Sequence, residues 1–385
     1  MKEETRLVTA GRRPNEHNGA VNPPVQRAST FLFSDLETMR SGEAPFGYGR
    51  AGTVTHRCFE EGVRDLEGGV ETRLAPSGLA ALTSGILAFC QAGDHILVTD
   101  SAYDPVRAFC NRFLARFGVE TEYYDPLIGA DIAGLFRPNT KVVLAETPGS
   151  LTFEMQDVPA IAKATKAAGV RLLVDNTYGA GVLFKPLAVG ADLSIQSATK
   201  YIIGHADAMA GVLTSGDAET AAAVRAALRQ LGSFVSPDEA YAGQRGLRSL
   251  HTRLRQHEAS ALVVATWLQG RDEVAEVLHP ALPETPGHDI WRRDFSGSNG
   301  LFSIVLKPAR DAALAAMLDG LTLFGMGYSW GGFESLIIPA RPDAFRSATQ
   351  WRRDGPLLRL HVGLENPEDL IADLKLGFDR LNAAA

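Results

Sequence analysis

The sequence predicts an α/β protein: a mostly parallel sheet with helices on both faces, followed by a smaller C-terminal α/β domain. Three observations carry this. From about residue 70, short apolar runs alternate with helical stretches; the runs are almost continuously apolar; and the pattern changes after a long helical stretch that opens near Pro237. Continuous apolar strands suit a sheet covered on both faces, and strand-helix alternation suits parallel neighbours.

The elements follow in order. Residues 1–52 contain Pro14, Pro23, Pro24 and Pro45, close on "GYGRAG" and show no sustained periodicity, so an extended arm is expected. The runs "HILVTD" (95–100), "KVVLAET" (141–147), "VRLLVDNT" (170–177) and "ADLSIQSAT" (191–199) are expected strands, separated by helices such as "VRAFCNRFLARFG" and "VPAIAKATKAAG". In such sheets ligands gather at the carboxyl ends of the strands. That singles out Asp100 with Tyr103, Glu146, Asp175 and Lys200.

Residues 236–270 are expected as one long helix, with Ser236 as N-cap, Pro237 in the first turn and acids behind it. It bridges a large domain, 53–246, and a C-terminal domain, 247–385, with a soft boundary near Gly246. Beyond it, strands "NGLFSIVLK", "ESLIIPA" and "LLRLHVG" interleave with helices "RDAALAAMLDGL" and "PEDLIADLKLGFDRLNAA".

Composition narrows the function classes. With 385 residues, 22% charged and 45% hydrophobic, the chain is an ordinary globular protein able to bury a substantial core. A net charge of −7 gives no electrostatic support for a nucleic-acid partner. The amino terminus is too polar for a signal peptide and no apolar run is long enough for a membrane span, so a cytoplasmic protein is expected. Cys58, Cys90 and Cys110 are scattered and odd in number, which disfavours disulfides and CxxC sites. The nine histidines form no HExxH-like cluster, so no metal site is expected, and His205 reads as a structural loop residue. No GxGxxG follows a strand and no GxxxxGK[ST] occurs.

Lys200 raises the chemical question. An ammonium just past a buried strand avoids low dielectric unless it is paired, modified or used. Elsewhere "APSGLAALTSGILAF" opens a helix at Ser77-Gly78, whose free N–H groups and positive dipole end suit a phosphate. Asp175, at the end of another strand, would keep a pyridine nitrogen protonated, and the Lys200 amine would hold an aldehyde. Phosphate, ring nitrogen and aldehyde together describe pyridoxal phosphate. Ser197 and Thr199, two strand positions apart and so on one side of the chain, would donate to the phosphate, and Tyr103 would stack on the ring.

The blocks "YGR" (48–50), "PSGLAAL" (76–82), "SAYDP" (101–105), "ETPGSLTFEMQD" (146–157), "LLVDNTY" (172–178), "QSATKYIIGHAD" (196–207), "GYSWGGFESLI" (327–337) and "LRLHVGLE" (358–365) stand in a telling order. Over nearly the whole chain the sequence resembles the pyridoxal-phosphate-dependent Cys/Met-metabolism enzymes, of the aspartate-aminotransferase-like fold type I. The resemblance implies that Lys200 carries the cofactor aldehyde, Asp175 partners the ring nitrogen and Tyr103 stacks. Gly78 and Leu79, with Ser77, would bind phosphate at the helix start, with Ser197 and Thr199 through their hydroxyls; many relatives have Met where this chain has Leu79. Tyr48 and Arg50 resemble the pair that reaches a neighbouring subunit's phosphate. That implies a homo-oligomer, a tetramer of two active dimers, with the arm clasping a partner rather than packing on its own chain. Arg359 matches the arginine that grips the substrate α-carboxylate, a task for its planar fork.

The same apparatus serves β-lyases, γ-lyases, γ-synthases and sulfhydrylases, so the reaction must be read from the substrate side. Relatives acting at the γ-carbon commonly have a smaller aliphatic residue where Trp330 stands. Tyr328 and Trp330 would line the pocket and Ser329 would help seat the carboxylate. The expected reaction is α,β-elimination from L-cystathionine to homocysteine, pyruvate and ammonia, a methionine-biosynthetic step, with Lys200 moving the proton and Tyr103 or Tyr48 assisting. Cysteine-S-conjugates, cystine or cysteine as substrates, a γ-specific reaction, and a non-catalytic binding protein on the same scaffold stay open as alternatives.

Overall fold

A computed structural model of the chain describes residues 1–384. Seven strands form the larger sheet: β1 (Glu71–Ala75), β2 (His95–Thr99), β3 (Glu120–Tyr124), β4 (Thr140–Glu146), β5 (Arg171–Asp175), β6 (Leu193–Ser197) and β7 (Gly211–Ser215). They lie in the order β1-β7-β6-β5-β4-β2-β3. β3, β2, β4, β5 and β6 are mutually parallel, and β7 runs antiparallel to β6 and β1.

The continuous apolar runs have the expected cause. On β2, Ile96 and Val98 pack in one cluster with Leu82, Ile86 and Val224, while Leu97 packs in another with Phe59, Val63 and Ile161. Successive strand residues point to opposite faces, so both faces are covered and each strand must be apolar throughout. The layers are the helices Gly78–Leu87 and Ala218–Gln230 on one side and Val54–Glu67 and Val158–Ala168 on the other.

A second sheet is wholly antiparallel, in the order β10-β11-β9-β8: β8 (Val274–Leu278), β9 (Leu301–Leu306), β10 (Leu336–Ala340) and β11 (Leu357–His361). Helices Leu250–Gln269, Asp311–Asp319 and Pro367–Ala383 share one core with Phe302, Ile304, Leu358 and Leu360.

The single helix expected over 236–270 is two, Pro237–Leu247 and Leu250–Gln269. The first starts as expected, with Ser236 and Glu239 capping reciprocally and Pro237 at its first position. Near its end Gly246 rests on the chain carrying Lys200: a Cβ there would stand 2.0 Å from the Ile202 carbonyl oxygen. Buried Arg253 then donates to the carbonyls of Gly246, Tyr201 and Ile202. The Gly246 carbonyl is thus turned to a guanidinium and the helix restarts.

The arm also differs from expectation. Its first part folds on its own chain as the helix Glu3–Thr9, burying Leu7. Arg248 donates to the carbonyls of Leu7 and Ala10, and Arg13 forks onto Glu61 at 2.7 and 2.8 Å. A short segment that can bury one leucine and offer its last carbonyls to Arg248 docks locally, which proline content alone does not reveal. The following stretch is different: Val21, Leu32, Leu36 and Met39 are exposed, Leu32 by 94%.

Candidate active site

The ends of β4, β5 and β6 create the site floor. β4 and β5 pair in parallel register with Glu146 beside Asp175. Asp175 Oδ1 accepts the Thr177 N–H at 2.9 Å and the Thr177 hydroxyl at 2.5 Å; that hydroxyl in turn accepts the Ser197 N–H at 2.9 Å. Burial pushes the Asp175 carboxyl above its usual range, against the Thr177 donors and the Lys200 charge. Glu146 is pushed well above its range by burial and by the Asp175 charge. Of the two neighbouring carboxyls, Glu146 has the Asp175 charge as an added cause of its upward shift, whereas Asp175 has the Thr177 donors and the Lys200 charge opposing its own. Glu146 Oε2 accepts the Tyr103 N–H at 2.8 Å, fixing the start of the segment that carries the Tyr103 ring.

Next to this floor lies a helix start. Ser77 Oγ caps the Ala80 N–H at 3.1 Å and the Ser77 carbonyl takes the Ala81 N–H, which leaves the Gly78 and Leu79 N–H groups free. Gly78 is required by contact rather than by conformation: a Cβ would meet Ser197 Cβ at 2.4 Å and Oγ at 2.5 Å. The helix start and Ser197 thus form one anion-binding concavity.

Thr199 needs correction. β6 ends at Ser197, and Thr199 and Lys200 stand in a turn in which Lys200 N–H bonds the Ser197 carbonyl at 3.1 Å. Strand alternation therefore does not relate Ser197 to Thr199. The Thr199 hydroxyl is engaged with the Ala210 backbone, donating to its carbonyl at 3.2 Å and accepting its N–H at 3.1 Å.

From the second sheet, the 327–335 loop and β11 close over Lys200. Its Nζ donates to Ser329 Oγ at 2.6 Å and lies 5.3 Å from the Trp330 ring centre. Burial, with Arg359 adding and Asp175 opposing, brings the Lys200 amine down to about 8. Arg359 Nη2 donates to the Ser329 carbonyl at 2.9 Å, and burial brings its guanidinium down to about 10. Its buried Nε has no partner among the described residues, which leaves a guanidinium donor unspent for a carboxylate. Ser329 stands at φ +80°, a conformation that costs a non-glycine residue roughly 1–3 kcal/mol.

Not every expected residue converges. Tyr328 is 90% exposed and Tyr103 is 45% exposed. Tyr48 and Arg50 line a separate cleft of 380 Å³ with Arg73, Arg225 and Phe234, and Arg50 donates to the Arg229 carbonyl at 3.1 Å. Asp100 turns away into a buried network, accepting from Arg107 at 3.0 Å and from the N–H groups of Ser347, Ala348 and Thr349. His205 bonds its loop through Nδ1 and the Ile203 carbonyl at 2.6 Å. Sequence reading assigned no role to Glu146 or His361; a carboxylate ending an apolar strand is the signal for the first, and a histidine inside "LRLHVG" for the second.

A lowered lysine amine, a buried carboxyl braced by Thr177 and a helix start fused to a serine hydroxyl define a site for an anionic aromatic aldehyde. The donor set and the Gly78 contact fit pyridoxal 5′-phosphate. Residues 4–379 match the model of the Cys/Met metabolism PLP-dependent enzymes, and the chain belongs to that family. It is 47% identical to the cystathionine β-lyase of Escherichia coli strain K12, covering 99% of each chain. It is 44% identical to that of Haemophilus influenzae, covering 98% of each. Among solved structures, the cystathionine γ-synthase of Xanthomonas oryzae pv. oryzae superposes with a TM-score of 0.92 at 32% identity, covering 100% of each chain. No helix among the described residues is long and apolar enough to cross a membrane.

Proposed function

We propose that the chain catalyses α,β-elimination of L-cystathionine: with one water consumed, cystathionine becomes homocysteine, pyruvate and ammonia. One observation carries the reading. Ser329 joins the two groups the reaction needs, its hydroxyl on the Lys200 amine at 2.6 Å and its carbonyl on Arg359 at 2.9 Å. Identity of 44–47% to two cystathionine β-lyases, against 32% to a γ-synthase, points the same way.

Pyridoxal phosphate, when bound, supplies the electron sink for the electrons left at Cα. The Gly78 and Leu79 N–H groups and the Ser197 hydroxyl would hold its phosphate, and Asp175 would hold the proton on its ring nitrogen. Lys200 would hold its aldehyde in the resting enzyme, with Thr199 beside it. Tyr103 stacks on the ring, positioned by Glu146. Arg359 takes the substrate carboxylate in its open fork. Released from the aldehyde once the substrate amine takes its place, Lys200 in its neutral form, which its lowered pKa favours, would take up the Cα proton as the sulfur departs from Cβ. Trp330, over the amine, narrows the pocket at the side-chain end.

Tyr48 and Arg50 serve a neighbouring copy in this reading, since their cleft has no Lys200 or Asp175 in its lining. The protein is then a homo-oligomer with shared sites, in the cytoplasm, and divides into the arm 1–52, a cofactor domain 53–246 and a C-terminal domain. Supplying L-cystathionine and identifying the keto acid tests the reading. Pyruvate supports it, and 2-oxobutyrate as the main product overturns it in favour of γ-elimination.

A further inference from the structure

His361 is wholly buried at the end of β11, two residues beyond Arg359, and touches neither Lys200 nor the open fork by any hydrogen bond. Its Nε2 lies 3.0 Å from the Gly331 N–H, and its Nδ1 lies 3.1 Å from the Glu334 carbonyl oxygen. A backbone N–H only donates and a carbonyl only accepts, so the ring is neutral with its proton on Nδ1. Burial, with the neighbouring His257, favours the same neutral form.

The two bonds hold both ends of the Gly331–Glu334 turn. Gly331 lies at φ +84°, and a Cβ there would meet Tyr201 N at 2.9 Å and Lys200 Cα at 3.0 Å. The backbone just after Trp330 therefore rests directly on the backbone of Lys200. The His361 ring is 5.9 Å from Tyr201, and Tyr201 is 5.5 Å from Trp330. Immediately before this turn, Ser329 bears the strained φ and both site contacts. A strained residue persists only where its surroundings hold it. Ser329 has no such anchor of its own besides Lys200 and Arg359, the groups it has to position.

We propose that His361 is a positioning residue for the reaction, its Nε2 lone pair clamping the Gly331 N–H so that Ser329 and Trp330 stay seated over Lys200. The inference rests on the reading of Lys200 as the proton-moving amine.

His361→Gln and His361→Asn separate the clamp from general packing. The glutamine amide oxygen reaches the Nε2 position and accepts the Gly331 N–H; the asparagine amide reaches only the Nδ1 position and leaves that N–H without a partner. On holoenzyme, the asparagine variant is expected to lose about 10–100-fold in kcat with a smaller change in KM, since a misplacement of about 1 Å has effects of that order. The glutamine variant should stay within about 5-fold of wild type. Equal activity of the two variants, whether both high or both low, overturns the clamp. Crystal structures of both holoenzymes read the Ser329–Gly331 backbone without reference to any substrate: displacement in the asparagine variant alone supports the proposal, and an unmoved loop in both refutes it. A wild-type enzyme that makes no pyruvate would instead refute the elimination reading, leaving the structural arm to judge His361.

Discussion

The Lys200 amine and the Ser329 hydroxyl meet at 2.6 Å across 129 residues of chain. Lys200 follows the last parallel strand of one sheet, and Ser329 precedes β10 of the other. In the proposed reaction the contact joins the group that moves protons to the residue whose carbonyl holds the carboxylate-binding arginine.

Replacing Lys200 with Ala should leave a folded protein and lower pyruvate formation from cystathionine by at least about 10³-fold, since one residue both holds the aldehyde and moves the proton. The visible absorbance of the bound cofactor should change as well. Full activity in Lys200→Ala would remove the central assignment.

The depressed Lys200 pKa sets two pH effects. With the folded value about 8 and the usual value 10.5, the unfolded chain binds more protons between those pH values, so stability of the cofactor-free protein rises with pH across that window. Below pH 8 both states are protonated and the slope from this group vanishes. Thermal unfolding at pH 7.5, 9 and 10.5 checks the sign against Lys200→Met, which should lack this increment. Because the amine is a base only when neutral, kcat should also climb with pH on the acid side of its profile.

Arg359→Lys keeps a positive charge but loses the planar fork. It should reduce kcat/KM by roughly 10²-fold, mainly through KM, because a bidentate carboxylate contact is lost. Steady-state kinetics with cystathionine measure it, and an unchanged KM would move the carboxylate elsewhere.

Asp175→Asn should reduce kcat by about 10-fold or more with intact folding, since an amide cannot hold a pyridinium proton. Glu146→Gln, by contrast, should be tolerated, because the amide oxygen can still accept the Tyr103 N–H and burial already disfavours the charged carboxylate. Equal losses in the two variants would argue that Glu146 acts as a charge.

Shared sites can be tested by mixing. Arg50→Ala and Lys200→Ala chains, each inactive alone, should recover activity when reassorted in equal amounts. In random twofold dimers about a quarter of the sites would draw Lys200 from one chain and Arg50 from the other. No recovery after verified exchange would place both residues in one chain's site.

The legible parts of the fold were those under the strongest constraint. β2, β4, β5 and β6 read clearly because burial on both faces forces apolar residues at successive positions. β3 and β8 lie at sheet edges and keep exposed Glu120 and Ala275, so their runs are broken and went unread. Asp175, Lys200 and Ser77-Gly78 were legible because strand ends and helix starts are where polar chemistry concentrates. The break after Leu247 was not, because it depends on Arg253 reaching the Gly246 carbonyl from the next helix. His361 was hidden for a similar reason: on a strand it looks like packing until Gly331 and Glu334 are brought to its two nitrogens.

Asp175, Lys200, Ser197 and the Gly78 helix start belong to the sheet of residues 71–215, while Arg359, His361 and the Ser329 loop belong to the sheet of residues 274–361. In the proposed reading a ribosome therefore finishes the cofactor cradle well before it has made the arginine and the loop that meet the substrate. The same order lets inherited change rework substrate choice in the later half of the coding sequence while the earlier half goes on receiving the same coenzyme.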